Sequence, residues 1–138
     1  MTTDPQELGR AVKQLQYRNH RAIDSALAEV GTTLAQWDAL RAIAREPGSS
    51  AHWLAGETFQ SDQAFGTLAT RLEARGLIER RAGSGRVIQH YLTPEGESVL
   101  AKGLPKAKAV ATESFANLTE HERTTLLALL KKTERPAP

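Results

Sequence analysis

A mainly helical fold carrying one small β-hairpin is what this sequence predicts, on three observations. Apolar residues recur at spacings of three and four through most of the chain. Capping residues and glycine or proline stops divide that pattern into six helical segments. Only once, on either side of Gly83-Ser84-Gly85, does the period change to that of strands. The 138 residues suffice for one domain with its own core, and 40% hydrophobic with 25% charged is ordinary globular composition.

The elements follow in order. Asp4, Pro5 and Glu7 open the first helix: Asp caps, Pro suits the first helical position and Glu meets the positive end of the dipole. Its stripe is Leu8, Val12, Leu15, Ala22, Ile23, Ala26, Leu27 and Val30, interrupted at Asn19 and His20 and stopped at Gly31. Thr33 to Gln36 reads as a capping box for a second helix with Leu34, Trp37, Leu40, Ile43 and Ala44 on its apolar face, ending near Pro47-Gly48. Ser49 or Ser50 caps a short third helix carrying Trp53, Leu54 and Phe59. Ser61 caps a fourth, with Ala64, Phe65, Leu68, Ala69 and Leu72 inward and Gly76 as its left-handed stop. Leu77 to Arg81 and Val87 to Leu92 form the hairpin. Thr93-Pro94-Glu95 starts a helix toward Asn117 in which Pro105 predicts a kink or break. Thr119 to Glu122 is a second capping box, and Leu126, Leu127, Leu129 and Leu130 make the last helix apolar. The tail Pro136-Ala137-Pro138 is expected to fray. No internal repeat or low-complexity segment is present.

Several function classes fall away at once. Without cysteine there is no disulfide, zinc-thiolate or iron–sulfur site and no thiol nucleophile or thiol redox sensor. No apolar run approaches the roughly 20 residues of a membrane span, and the first residues lack a basic-then-apolar signal pattern. A cytoplasmic protein is expected. His20, His52, His90 and His121 show no metal spacing with acids, and Ser84 has no neighbouring base, so neither a metal, a cofactor nor an enzyme is expected.

The order helix, short helix, helix, hairpin is a helix-turn-helix followed by a wing, flanked by N- and C-terminal helices. In such modules the second helix lies in the DNA major groove and reads bases from its N-terminal half. Opposite the apolar face of the fourth helix stand Ser61, Asp62, Gln63, Gly66, Thr67, Thr70 and Arg71. Gln63 suits adenine edges, Arg71 guanine or phosphate, Thr67 a thymine methyl or phosphate, and Asp62 cytosine or the helix N-terminus. Gly66 permits close approach of DNA or of a neighbouring helix. From Arg71 to His90 there are five arginines (Arg71, Arg75, Arg80, Arg81, Arg86) against two acids, an excess of three, whereas the whole chain carries only +2. A locally basic hairpin on a near-neutral chain is a phosphate-contacting footprint. The alternative is a winged helix that docks protein without DNA specificity, but that would show an exposed apolar patch here, where arginines and short polar residues stand.

Three motifs then carry a resemblance: Leu34-Ala35-Gln36-Trp37-Asp38-Ala39-Leu40, Leu72-Glu73-Ala74-Arg75-Gly76-Leu77-Ile78-Glu79-Arg80 and Leu92-Thr93-Pro94-Glu95-Gly96. Together, across roughly residues 31–100, the chain resembles the MarR family of winged-helix regulators. The resemblance implies a homodimer built from the terminal helices, a palindromic operator in double-stranded DNA, and relief of repression by a small ligand. It implies an N-terminal dimerisation helix (1–31), a DNA-binding region (32–93) and C-terminal dimerisation helices (94–138). Leu8, Val12, Leu15, Leu126, Leu127 and Leu130 are the candidate dimer residues, since one small domain cannot readily cover both stripes. With no cysteine, an effector must bind non-covalently, and Tyr17 and Trp37 are its candidate contacts. The family's wing carries Asp-x-Arg at its tip. Ser84-Gly85-Arg86 keeps the arginine and loses the acid that orients neighbouring arginines, so the tip is expected to be mobile until DNA orders it.

Overall fold

The computed structural model describes residues 2–135; the expected fraying at Pro136-Ala137-Pro138 lies outside them. The elements are α1 (Pro5–Ala28), α2 (Leu34–Arg45), α3 (Ala51–Glu57), α4 (Asp62–Ala74), β1 (Ile78–Ala82), β2 (Ile88–Leu92), α5 (Pro94–Ser114) and α6 (Glu120–Lys132). Each helix starts at an oxygen-bearing cap. Asp4, Thr33, Ser50, Ser61, Thr93 and Thr119 each accept a backbone N–H of the first turn. Only Thr119 with Glu122 closes a reciprocal box. The expected box at Thr33 is half made, because the Gln36 side-chain Oε1 accepts from the Thr32 hydroxyl and Arg75 instead.

The core gathers Leu40, Ile43, Leu54, Phe65, Leu72, Leu77 and Ile78 from α2, α3, α4 and the start of the hairpin. On α2 the inward small residues are Ala39 and Ala42, while Ala44 faces solvent. The strands pair antiparallel from Ile78 opposite Leu92 to Ala82 opposite Ile88. Ser49 adds a bridge to His90, so the linker before α3 borders the hairpin. His90 is buried, with its Nδ1 2.9 Å from the Ser49 carbonyl and its ring edge-on to Phe65. Sequence periodicity does not reveal this buried histidine.

Two further expectations need correction. The helix carrying Pro105 runs unbroken from Pro94 to Ser114, so the loss of one backbone bond there does not end it. Phe59 lies beyond the end of α3, at φ +58 and 95% exposed, and does not join the core. Trp37 lies on the buried face of α2, as its place in the apolar stripe implies: it is 2% exposed and donates its indole N–H to the Leu100 carbonyl of α5 at 3.1 Å.

Gly96 fixes how α5 leaves the wing. A methyl group there would run into the Leu77 carbonyl oxygen, which is backbone and cannot swing aside. Thr93 ties the same corner, its N–H donating to Leu77 and its hydroxyl to the Gly76 carbonyl. Gly96→Ala is therefore expected to destabilise by about 1–3 kcal/mol through overpacking, read as a lower urea midpoint. Phe59→Gly is expected to leave stability unreduced, since it removes no packing and relieves a left-handed conformation worth about 1–2 kcal/mol, which offsets the chain entropy that glycine costs. A clear fall in melting temperature for Phe59→Gly would show that the ring packs after all.

Candidate nucleic-acid interface

Helix α4 buries Phe65, Ala69 and Leu72 and leaves Ser61, Asp62, Gln63, Thr67, Thr70 and Arg71 exposed. The period of 3.6 thus sorts the helix into a seated face and a presented face. On the presented face the side chains are in different states of use. The Ser61 hydroxyl accepts from the Ala64 N–H as cap. The Thr67 and Thr70 hydroxyls donate back to the Gln63 and Gly66 carbonyls at 3.2 and 3.1 Å, which leaves their methyl groups as the outward chemistry. The Gln63 amide and the Arg71 guanidinium make no hydrogen bond or ion pair among the described residues. A methyl group built on Gly66 meets nothing within 4 Å, so helix packing does not demand a glycine there.

The five arginines divide. Arg80 bonds Glu73 at 2.8 Å, joining the hairpin to α4, and its backbone N–H donates to the same carboxylate at 3.2 Å. Arg81 pairs with Glu79 at 3.1 Å and lies over the Tyr91 ring, 4.3 Å from its centre. Both acids of the segment are thus taken by arginines. The positive excess rests on Arg71, Arg75 and Arg86, which have no carboxylate partner among the described residues. Arg75 turns inward from the end of α4: its guanidinium donates to the Gln36 side chain at 2.5 Å and to the Gly31 carbonyl at 2.7 Å. Sequence reasoning missed this inward anchor, because its partners lie 39 and 44 residues away. It also missed His52 on α3, whose Nδ1 sits 3.0 Å from the Asp62 carboxylate at the start of α4. No local pattern announces either contact.

At the tip, Gly83 N–H donates to the Val87 carbonyl at 2.8 Å and Gly85 takes φ +66. Glu73 and Glu79 hold Arg80 and Arg81, while Arg86 at the tip has no carboxylate partner among the described residues. The hydrogen bond from Arg80, above all, holds the Glu73 carboxyl below the usual glutamate range, and that from Arg81 does the same for Glu79.

The comparisons with known proteins follow the same lines. A family profile described as MarR family matches residues 30–86. Transcriptional regulator HosA of Escherichia coli O127:H6 is 31% identical over 102 residues, 72% of this chain and 76% of that protein. The chain belongs to the MarR family. HTH-type transcriptional repressor Rv2887 of Mycobacterium tuberculosis is 29% identical over 112 residues, 80% of this chain and 81% of its own. Its structure with salicylic acid superposes at TM-score 0.76 and 26% identity, covering 96% of this chain and 98% of that one. A cysteine-to-serine mutant of Escherichia coli MarR, solved with operator DNA, shares the fold at TM-score 0.87 and 23% identity, covering 94% of each chain. The winged helix-turn-helix is therefore the fold of this MarR-family chain, and the chain is a DNA-binding regulator of transcription.

The remaining sites expected from sequence lie in the flanking helices, apart from Trp37 on α2. Leu8, Val12, Leu127 and Leu130 are exposed, and Leu15 and Leu126 half-buried. Tyr17 is exposed, accepts from Arg21 at 2.9 Å and borders a cavity of about 420 Å³ with Ala11, Gln14, Leu15 and Arg18. Trp37 is buried against α5 and does not line the cavity beside Tyr17. A second cavity of about 420 Å³ lies between α1 and α5, lined by Arg18, Asn19, Ala22, Val110, Glu113, Ser114 and Asn117. No group of three His, Asp or Glu suited to a metal occurs among the described residues, nor any helix long and apolar enough to cross a membrane.

The Glu73–Arg80 pair yields a pH prediction. A carboxyl whose folded pKa is depressed supports the fold above the usual range and loses that support as pH falls through its folded value. Arg80→Met should move the Glu73 carbon-detected NMR midpoint back up toward ordinary glutamate. An unmoved midpoint would show that Arg80 is not its partner in solution.

Proposed function

We propose that this chain is a ligand-responsive repressor that binds a palindromic operator as a homodimer. The observation that carries the reading is α4: one face fully seated in the core, the other lined by unengaged Gln63 and Arg71 and the Thr67 and Thr70 methyls. Base reading falls to Ser61, Gln63, Thr67, Thr70 and Arg71, with Arg71 also within reach of phosphate. Gly66 lets the groove wall come close to the helix backbone. Arg86 at the wing tip contacts the neighbouring backbone or minor groove. Arg80 and Arg81 present donors left over from their ion pairs to phosphates, and Arg75 braces the end of α4 while adding to the local positive field.

In the same reading, residues 32–93 engage DNA and the helices of 1–31 and 94–138 hold the dimer. Leu8, Val12 and Leu15 on α1 and Leu126, Leu127 and Leu130 on α6 are the apolar surface available for a partner copy. An effector fits the cavities beside Tyr17 and Arg18, where the guanidinium suits an aromatic carboxylate of the kind bound in the Rv2887 structure. Trp37 acts on that site through its bond to α5, not as a wall. A non-enzymatic, cytoplasmic role accords with its transcriptional relatives.

Selection of bound DNA from a random pool tests the reading. The recovered sites should be palindromes with half-site centres roughly 10 bp apart, and light scattering should give about twice 15.1 kDa. Sites without dyad symmetry, or a clean monomer at micromolar concentration, would overturn it. Gln63→Ala should relax base preference at a cost of about 1–3 kcal/mol. Arg86→Ala should weaken all sequences alike and lower the salt slope by about one. An unchanged slope would mean that the wing does not touch phosphate.

A further inference from the structure

The fold of this chain does not account for Phe59. The residue sits in the turn between α3 and α4 at φ +58, the one position other than glycine in the left-handed region among the described residues. The turn itself is closed by backbone groups: Phe59 N–H donates to Gly56 at 3.3 Å and Gln60 N–H to Ala55 at 2.9 Å. Those bonds require the left-handed conformation, which glycine supplies at no steric cost. They do not require a ring. The side chain, 95% exposed, is outside the hydrophobic core. A strained backbone and a wetted aromatic ring are two costs with no return inside the molecule, and uncompensated strain of this kind points outward to function.

Ser61, two residues on, caps α4, and Ser61, Asp62 and Gln63 are all exposed at that end. Phe59 is therefore continuous with the surface that the DNA-binding reading places in the major groove. A phenyl ring has no hydrogen bond to offer base edges. The apolar group that base pairs display in that groove is the thymine 5-methyl. We propose that Phe59 is a specificity-determining residue that packs its ring on a thymine methyl at the edge of each operator half-site. This inference rests on the DNA-binding reading, and its test separates the two.

The test uses the palindrome selected by the full-length protein. Each thymine in turn is replaced symmetrically by deoxyuridine, which lacks only the methyl, and affinity is measured at fixed salt for wild type, Phe59→Gly and Phe59→Asn. Asparagine tolerates the left-handed conformation and so controls for backbone strain. At one thymine position the replacement should weaken wild type by roughly fourfold per half-site, the value of one buried methyl, and leave both variants unaffected. Three results would overturn the proposal. The first is that no methyl distinguishes wild type from the variants. The second is that Phe59→Gly weakens every sequence equally, which would place the ring on the sugar-phosphate backbone. The third is that both variants bind as wild type does. If wild type selects no palindrome, the DNA-binding reading fails first and takes this inference with it.

Discussion

Everything this surface can do depends on the burial of one face of α4. Phe65 is fully buried and meets the edge of His90, while Ala69 and Leu72 continue the seat against α2 and the start of β1. A helix has one rotation about its axis that buries those three residues together, and that rotation aims Gln63, Thr67, Thr70 and Arg71 outward. Truncating Phe65 would thus remove both stability and aim, because the exposed side chains have no orienting contacts of their own beyond the threonine back-bonds. His90 matters through the same seat: its Nδ1 bond to Ser49 satisfies a buried polar group and locks the linker before α3 against the hairpin.

Charge is partitioned by the same geometry. Glu73 leaves α4 on the side facing the hairpin and takes Arg80; Glu79 takes its strand neighbour Arg81. These exposed pairs contribute little stability in water. Their effect is positional: they fix where two of the guanidinium groups stand before any polyanion arrives. Arg75 goes further and spends its donors on the α1–α2 corner, where Asp24 also accepts from the Leu34 N–H at 2.8 Å. The end of the presented helix is thereby tied to the corner from which α1 departs. The sequence count of five arginines cannot distinguish these uses, because ion pairing depends on which strand and helix come side by side.

The limits of legibility follow from that distinction. Helix starts were readable because a cap acts within three residues: Asp4, Ser61, Thr93 and Thr119 all do what their local sequence implies. The hairpin was readable because Gly83 and Gly85 punctuate a change of period. Interactions between distant segments were not, as Gln36 shows: its spacing from Thr33 predicts a reciprocal box, but Arg75, 39 residues on, offers a charged donor and wins the amide oxygen. Pro105 misleads in the opposite direction, since α5 has packing along α1 and α2 to carry it past one lost bond. Phe59 reads in sequence as part of the short third helix, but that helix ends at Glu57 and Phe59 takes a left-handed backbone in the turn that follows. The residues proposed to face DNA were legible as a face, since that needs only the period, whereas their engagement needed coordinates.

The terminal helices set the last constraint. No residue of α6 is buried, and of α1 only Leu27 is. A 13-residue helix without a covered face is marginal in water, and its capping box with Arg123 bonded to the Phe115 and Leu118 carbonyls anchors one end only. In the proposed dimer the apolar ends of α1 and α6 are covered by the partner copy, so folding of those helices and association are one equilibrium. The two recognition helices then acquire a fixed separation from the same contacts that stabilise the termini. In the proposed reading, an effector lodged between α1 and α5 would act on that separation directly, because α1 would carry dimer contacts at one end, while the turn that follows it is tied through Gly31 to Arg75 at the end of the recognition helix. A shift along α1 too small to disturb the core would still change how well both helices fit two grooves at once.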